Sequence, residues 1–233
     1  MNGEQSIHSR LLEKIRSYTM PLVAQEILAT HPPLVIAGIT ASGKNAATKY
    51  IVDTTDYRQV VTHTTRQPRP DEIHGKHYYF VKEEEMLKLL DSQSMIEAKL
   101  IHDIRISGIS VRAYQDVVNA GHKPLLVIDV QGTEEISKFL PKLRPVFLLP
   151  PNFDTWVRMQ EKRGRMSHSE RLRRMHSARE ELEQVLDNEH FFLVVNRDVP
   201  QTAREILGDV HDQASQRKAR EAAQLLIDRL RTI

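Results

Sequence analysis

Residues 38–45, GITASGKN, have the glycine and lysine spacing of a phosphate-binding loop. An apolar run, LVIA, leads into the first glycine, and four residues separate that glycine from Gly43 and Lys44. The pattern G-x-x-x-x-G-K-[ST] surrounds phosphates with backbone N–H groups, sets a lysine beside the β- and γ-phosphates and gives Mg²⁺ a hydroxyl ligand. Asn45 stands where that hydroxyl residue is expected. The sequence therefore predicts a nucleotide phosphate site with an altered metal ligand.

A second stretch, THTTRQPRP at residues 62–70, has the residue types of an anion site. Arg66 and Arg69 are three residues apart in a segment stiffened by two prolines, which favours a fixed fork for a phosphate over a helix. Further along, Glu97 lies in the mostly apolar run MIEA, where a carboxylate needs a polar partner. A structural salt bridge and a hydrogen bond to a nucleotide base are both consistent with that position.

The apolar pattern predicts strands that alternate with helices. Predicted strands are Pro33–Ile39, Gln59–Thr65, His77–Val81, Met95–His102, Leu125–Val130, Val146–Leu149 and Phe191–Val195. Helices are predicted near both termini, including a helical tail over Thr202–Ile233, and between most of the strands. Such alternation favours an α/β fold with a mainly parallel sheet that helices cover on both faces. Ligands of these sheets bind beyond the carboxyl ends of the strands, where the GITASGKN loop would lie.

Composition argues against several classes of protein. The chain has no cysteine, so disulfide frameworks and thiolate metal sites are excluded. The formal net charge of +2 does not favour a nucleic-acid partner, and no apolar run approaches the roughly 20 residues of a membrane-spanning helix. We expect a cytoplasmic protein with no nucleic-acid or membrane partner. One local exception is a basic run over residues 158–174, which is either a solvated helix face or an electrostatic clamp.

The order of several motifs resembles that of the guanylate kinase family over about residues 33–198. These motifs are GITASGK, THTTRQPRP, EIHGKHYYFV, MIEAKLIH, LLVIDVQG, FLLPP, KRG with RLRRM, and VVNRD. The resemblance implies a P-loop kinase fold with a small monophosphate-binding subdomain, at about residues 62–110, and a lid, at about residues 160–175. The kinase-like domain would span residues 32–210, between a helical extension at 1–31 and a helix at 211–233.

The resemblance also implies roles for individual residues. Arg66, Arg69 and Tyr78 would bind the phosphate of GMP, while Glu97 would accept hydrogen bonds from guanine. Thr62 would help to read the base, and Asp129 would lie near the base and a metal-bound water. On the ATP side, the binding residues would be Gly38, Ala41, Ser42, Gly43, Lys44 and Asn45, with Asn45 as a weak or water-mediated Mg²⁺ ligand. Catalysis would depend on Lys44 and on two lid arginines, Arg163 and Arg174.

The chain departs from the family pattern near the acceptor. Residues 103–110 read DIRISGIS where family members typically read close to GNYYGTS, and Val127 replaces an acid two residues before Asp129. Three interpretations remain at this stage. The first is an ATP- and Mg²⁺-dependent nucleoside monophosphate kinase, with GMP the favoured acceptor. The second is a catalytically weak module that binds a phosphorylated partner, and the third is a kinase of the same fold for another phosphorylated small molecule.

Overall fold

The computed structural model describes residues 6–101, 105–162, 167–208 and 212–232. Its helices are α1 (Ile7–Ser17), α2 (Leu22–Thr30), α3 (Lys44–Thr54), α4 (Glu83–Asp91), α5 (Val111–Asn119), α6 (Val130–Phe139), α7 (Phe153–Glu161), α8 (His168–Asp187), α9 (Val199–Leu207) and α10 (Gln213–Arg231). Its strands are β1 (Leu34–Ala37), β2 (Tyr57–Gln59), β3 (His63–Thr64), β4 (Tyr79–Phe80), β5 (Met95–Ile101), β6 (Arg105–Ser110), β7 (Lys123–Val127), β8 (Val146–Leu149) and β9 (Phe192–Val195).

The strands form two sheets. The first has the order β2-β7-β1-β8-β9, and its β1–β8 and β8–β9 pairs are parallel. The second has the order β4-β3-β6-β5, in which β3 pairs with β4 in parallel and β6 pairs with β3 and β5 in antiparallel orientation. The predicted α/β class, with a mainly parallel sheet flanked by helices, is confirmed.

The chain divides into two compact units, and the first consists of Met1–Pro33, Arg58–Leu125 and Glu134–Pro141. It contains the four-stranded sheet and a core of apolar side chains contributed by α1, α4, β5 and β6. Leu11 of α1 is fully buried in this core, and the Tyr18 hydroxyl donates to the Met95 carbonyl at 2.7 Å. The N-terminal helices of the described chain therefore pack on this unit.

The second unit consists of Leu34–Tyr57, Leu126–Thr133 and Lys142–Ile233. Its core joins the apolar residues of β1, β8 and β9 to the buried faces of α7, α8 and α10. Trp156 on α7 and Leu182 on α8 are both fully buried there. The C-terminal helix α10 packs against α8 and β9, so its apolar stripe is part of the core.

Several predicted elements differ from the observed ones. The strand predicted over Gln59–Thr65 is wrong, because β2 ends at Gln59 and β3, which belongs to the other sheet, begins at His63. The strand predicted over Leu125–Val130 ends at Val127. Val130, the last residue of the predicted strand, is instead the first residue of helix α6, which the pattern did not predict. The tail predicted to be helical over Thr202–Ile233 contains the end of α9 and the whole of α10. Helix α9 ends at Gly208, whose φ of 100° is left-handed.

Strand β6 was also not predicted. It pairs with β5 along its length and places residues 105–110, the described part of DIRISGIS, inside the second sheet. Among the described residues, no helix has the length and apolar character needed to cross a membrane.

Candidate active site

The phosphate-binding loop lies in the second unit, between the end of β1 at Ala37 and the start of α3 at Lys44. Both loop glycines are required by their surroundings. A Cβ at Gly38 would lie 2.5 Å from the Leu148 carbonyl oxygen, and one at Gly43 would lie 1.9 Å from Asn196 Nδ2. Gly43 also has a φ of 95°, a conformation that residues with a side chain rarely adopt. The loop therefore bends tightly and leads directly into the N-terminus of a helix, where an anion is favoured.

Lys44 is half-buried, and its ammonium group contacts the loop itself. Lys44 Nζ donates to the carbonyl oxygens of Gly38 and Ile39, the latter at 3.0 Å. These contacts hold the side chain across the loop that the sequence assigned to phosphates. The predicted loop residues Ala41 and Ser42 are both buried, and within the described chain the Ser42 hydroxyl oxygen is buried with no hydrogen-bond partner.

Two side chains from later in the sequence fix the loop from behind. Asn196 Nδ2 donates to the Ser42 carbonyl at 2.9 Å, and the Asn196 amide oxygen accepts from the Thr202 hydroxyl at 3.2 Å. The indole N–H of Trp156 donates to the Thr40 carbonyl at 2.7 Å. Because these bonds use the carbonyl oxygens of Thr40 and Ser42, they restrain the loop backbone without occupying its N–H groups.

Asn45 is exposed at the second residue of α3. Its amide carbonyl is an oxygen ligand of the kind that Mg²⁺ accepts. Across the described ranges, no group of three or more His, Cys, Asp or Glu side chains comes together as a metal site. This donor set fits a Mg²⁺ ion that is held mainly by phosphate oxygens and water, with the protein adding little.

Two carboxylates lie near the loop lysine in the second unit. Asp129 follows β7, and its Oδ1 accepts from the Gly132 N–H at 2.7 Å at the start of α6. The charges of Lys44 and Asp129 both act on Glu181 of α8, a residue that the sequence analysis did not single out. Burial raises the pKa of Glu181 to about 7, Lys44 opposes that rise, and the charges of Asp129 and Glu180 add to it.

Of the two predicted lid arginines, Arg163 lies outside the described residues. Arg174 is on α8, and its Nη2 donates to Glu170 Oε1 at 2.5 Å, one helical turn earlier. The Arg174 side chain is 22% exposed, so solvent screens this ion pair only in part.

Apart from Asp129, the predicted acceptor residues lie in the first unit, around one face of the four-stranded sheet. Across β3 and β6, Thr64 pairs with Ser107, and across β5 and β6, Glu97 pairs with Ile109. Alternate residues of a strand share a face, so Glu97, Ser107 and Ile109 lie on one side. The opposite face carries Ala98 and Ile106, which are in the apolar core. The acceptor face is therefore the side of the sheet that does not pack on α1 and α4.

Arg66 is held at this face by a carboxylate and two rings. Its guanidinium makes two hydrogen bonds to Glu72, Nη1–Oε2 at 2.5 Å and Nη2–Oε1 at 2.6 Å. The guanidinium carbon lies 4.8 Å from the ring centroid of Tyr78 and 5.4 Å from that of Phe80. Arg69 joins the same cluster through its backbone N–H, which donates to Glu72 Oε2 at 2.9 Å. The structure thus brings Arg66, Arg69 and Tyr78 together, while their role as phosphate ligands stays a prediction.

Glu97 is only 5% exposed, and Thr62 is 9% exposed. A buried carboxylate is unfavourable unless polar groups surround it. Directly across from Glu97 stands Ile109, where family members carry a hydroxyl. The neighbouring Ser110 does not replace it, because its hydroxyl caps α5 by accepting from the Ala113 N–H at 3.1 Å.

Sequence reasoning missed three residues that lie near the phosphate-binding loop or the acceptor face: Glu72, Arg105 and Glu181. Glu72 lies in the quoted EIHGKHYYFV motif, and its distance of three residues from Arg69 was a usable signal. Arg105 is the one basic residue of DIRISGIS. Glu181 has glutamates on either side along α8, and the sequence does not show which of them faces the loop.

A glycine-lysine loop between a parallel strand and a helix, in an α/β fold with a second sheet bearing an arginine cluster, defines a P-loop phosphotransferase. The family model for guanylate kinase matches residues 30–213. A guanylate kinase of Leifsonia xyli subsp. xyli is 32% identical over 203 residues, which are 86% of this chain and 78% of that protein. One of Neisseria gonorrhoeae is 32% identical over 174 residues, covering 74% of this chain and 83% of that protein. The chain belongs to the guanylate kinase family.

A solved structure agrees on the fold. The crystal structure of guanylate kinase from Anaplasma phagocytophilum matches with a TM-score of 0.57 at 23% identity, covering 78% of this chain and 89% of that one. At this identity the likeness concerns the fold alone.

Proposed function

We propose that the chain transfers the γ-phosphoryl group of ATP to GMP and releases ADP and GDP. The observation that carries this proposal is the acceptor face of the first unit, where Arg66, Tyr78 and Glu97 surround one side of a small sheet. Arginines suit a phosphate, and a buried carboxylate suits the N1–H and amine of guanine. This pairing of an arginine cluster with a buried acceptor favours a purine nucleotide over a simple phosphorylated sugar.

In the proposed reaction, a phosphate oxygen of GMP forms a bond to the γ-phosphorus of ATP. The bond between that phosphorus and the β–γ bridging oxygen breaks, and ADP leaves with the electron pair. Such transfer needs positioning and charge neutralisation and little covalent chemistry from the protein. The loop N–H groups between Gly38 and Lys44 would hold the ATP phosphates, and Lys44 would neutralise charge that develops on the transferring group.

The remaining predicted residues supply orientation. Arg66, Arg69 and Tyr78 would hold the GMP phosphate, Glu97 and Thr62 would hold guanine, and Asp129 would lie near the base. Arg174, and with it Arg163, would close over the transferring group, which suits a contact formed mainly in the transition state. Asn45 would hold Mg²⁺ directly or through a water. Bound Mg²⁺ supplies charge neutralisation on the phosphate oxygens.

The test is a coupled assay of ADP formation from ATP–Mg²⁺ and GMP, with Lys44→Ala and Lys49→Ala compared with the parent. Lys44→Ala should abolish transfer with little change in melting temperature. Lys49 lies on the same helix, is 76% exposed and pairs with Asp53 one turn later, so its variant is the matched control. Equal rates in all three proteins would contradict the phosphate-loop assignment.

The alternatives give different results in the same experiment. A parent protein whose melting temperature rises with GMP but not with ATP–Mg²⁺, and which forms no ADP, would be a binding module. Transfer to another phosphorylated small molecule, with none to GMP, would identify a kinase of different acceptor. The cytoplasmic location expected from the composition stays a prediction.

A further inference from the structure

Arg105 begins strand β6 at the level of Arg66. The antiparallel pair Thr64–Ser107 sets the register, and the pairing extends one residue beyond β3. There the Thr65 N–H donates to the Ile106 carbonyl at 2.9 Å, and the Ile106 N–H donates to the Thr65 hydroxyl at 2.9 Å. The next residues in this register are Arg66 and Arg105. Because side chains two residues apart share a face, Arg105 lies on the acceptor face with Ser107.

The electrostatics agree with this placement. Burial lowers the pKa of Arg105, and the charges of Arg66 and Arg69 lower it further, while Tyr78 and Glu72 act in the opposite direction. Arginine keeps its charge under any such shift, so the guanidinium is a partly buried cation among cations. Within the described residues, Arg105 Nε is buried with no hydrogen-bond partner.

Like charges at opposed positions of neighbouring strands are destabilising. The cluster holds three guanidinium groups, those of Arg66, Arg69 and Arg105, and one described carboxylate, that of Glu72. Three positive charges less one negative charge leave a surplus of two. A phosphate monoester carries about 1.5 to 2 negative charges at neutral pH. The surplus therefore matches the charge of one such group.

We propose that Arg105 is a third arginine ligand of the acceptor's phosphate group, in addition to Arg66 and Arg69. It lies in the segment where this chain departs from the family pattern, so the assignment is specific to this chain. The proposal rests on the proposed function for the identity of the acceptor. The chemistry that it invokes, a phosphomonoester dianion, is independent of the base.

The experiment compares Arg105→Met, Arg105→Lys and the control Arg112→Met in the full chain. Arg112 is an exposed arginine on α5 of the same unit. Isothermal titration measures GMP, guanosine and inorganic phosphate with each protein. Arg105→Met should weaken GMP binding by roughly tenfold to a hundredfold, which corresponds to a lost charge-assisted hydrogen bond. Guanosine, which lacks the phosphate, should bind equally to the parent and to Arg105→Met.

The melting temperature of the unliganded protein provides a second readout. If Arg105 had a structural role, its replacement would lower that temperature. Methionine keeps the apolar stem of the side chain and removes a crowded charge, so the unliganded Arg105→Met protein should melt at the parent's temperature or above. Arg105→Lys should bind GMP with intermediate affinity, and Arg112→Met should match the parent.

Unchanged GMP affinity in a folded Arg105→Met protein would overturn the proposal. So would an equal loss of GMP and guanosine binding, or a lower melting temperature without ligand, because each would mark a structural residue. If the parent binds inorganic phosphate or another phosphomonoester but not GMP, the proposed acceptor fails, and the same variants then test Arg105 on that ligand. If the parent binds no phosphomonoester, both proposals fail.

Discussion

Arg66 and Glu72 form a two-pronged ion pair, with Nη1–Oε2 at 2.5 Å and Nη2–Oε1 at 2.6 Å. The same carboxylate accepts from the Arg69 backbone N–H at 2.9 Å, and the Glu72 N–H closes a turn onto the Arg69 carbonyl at 3.0 Å. A single carboxylate thus fixes the loop that carries Arg66 and Arg69, two of the three predicted phosphate ligands. Pre-set guanidinium groups lose less conformational entropy when they bind a phosphate.

Glu72→Gln should raise the acceptor KM much more than it lowers kcat, because it loosens Arg66 without touching the ATP loop. Arg66 lowers the pKa of the Glu72 carboxyl to about 2, with desolvation acting against it. A depressed carboxyl pKa stabilises the fold above the ordinary value near 4.5, and the contribution is lost as pH falls toward 2. Urea unfolding should therefore show the largest deficit of the variant near neutral pH and a smaller one in acid. Glu84→Gln, at an exposed position of α4, is the control, and a deficit that is constant with pH would contradict the assignment.

Asn45→Ser should raise the rate at limiting Mg²⁺, with a smaller gain at saturating metal. Serine offers a compact oxygen close to the backbone, whereas the longer amide fits the strict octahedral geometry of Mg²⁺ less well. ATP affinity should change little, because the backbone N–H groups and Lys44 remain. Initial rates against metal concentration, with Mn²⁺ in parallel, measure the effect. Identical Mg²⁺ curves for parent and variant would show that residue 45 does not contact the metal or its water.

Guanine selectivity should depend on Glu97. Adenine has no N1–H and would leave this buried carboxylate partly unpaired, which costs about 1–3 kcal/mol, or more for a charged group. The parent should therefore prefer GMP to AMP, and Glu97→Gln should reduce that preference. Ile109 supplies no hydroxyl opposite Glu97, so discrimination should stay toward the lower end of this range. Rates across GMP, dGMP, AMP, CMP and UMP decide it, and a parent that favours another base would remove Glu97 from this role.

Stability should fall as the pH rises through the titration of Glu181. Burial raises its folded pKa to about 7, from an ordinary value of 4.5. Between these values the folded state binds more protons than the unfolded state, so the free energy of unfolding decreases with rising pH. Glu181→Gln should flatten this decline, while Glu189→Gln, at an exposed position after α8, should not. Melting temperatures of the unliganded proteins between acid and slightly alkaline pH provide the measurement, and parallel curves for all three would refute it.

The local sequence pattern predicted those elements whose conformation depends mainly on residues nearby in the chain. The phosphate loop follows from two glycines, a lysine and an apolar strand, and β8 has the predicted bounds because VFLL is an unbroken apolar run. The gathering of Arg66, Arg69 and Tyr78 followed from a family resemblance rather than from periodicity. Their roles, and those of Lys44, Glu97 and Asp129, stay predictions.

The features that the sequence did not predict depend mostly on contacts between residues far apart in the chain, such as strand pairing. Strand β6 contains a glycine and two serines and has weak strand propensity of its own, so its conformation depends on pairing with β5 and β3. Helix α6 begins with VQGT, whose glycine favours a turn, yet Asp129 binds the Gly132 N–H and starts the helix there. The position of Arg105 beside Arg66 likewise follows from sheet register, which composition does not reveal.

The bond between Trp156 and Thr40 gives the chain an internal optical probe. Trp156 is the sole tryptophan of the sequence, it is fully buried, and its indole N–H is bonded to the backbone of the phosphate loop at 2.7 Å. Indole emission responds to changes in polarity and hydrogen bonding at the ring, so a ligand that shifts the loop should alter the fluorescence of the unmodified protein. Tryptophan emission during an ATP titration would therefore report on the loop without a label or a substitution.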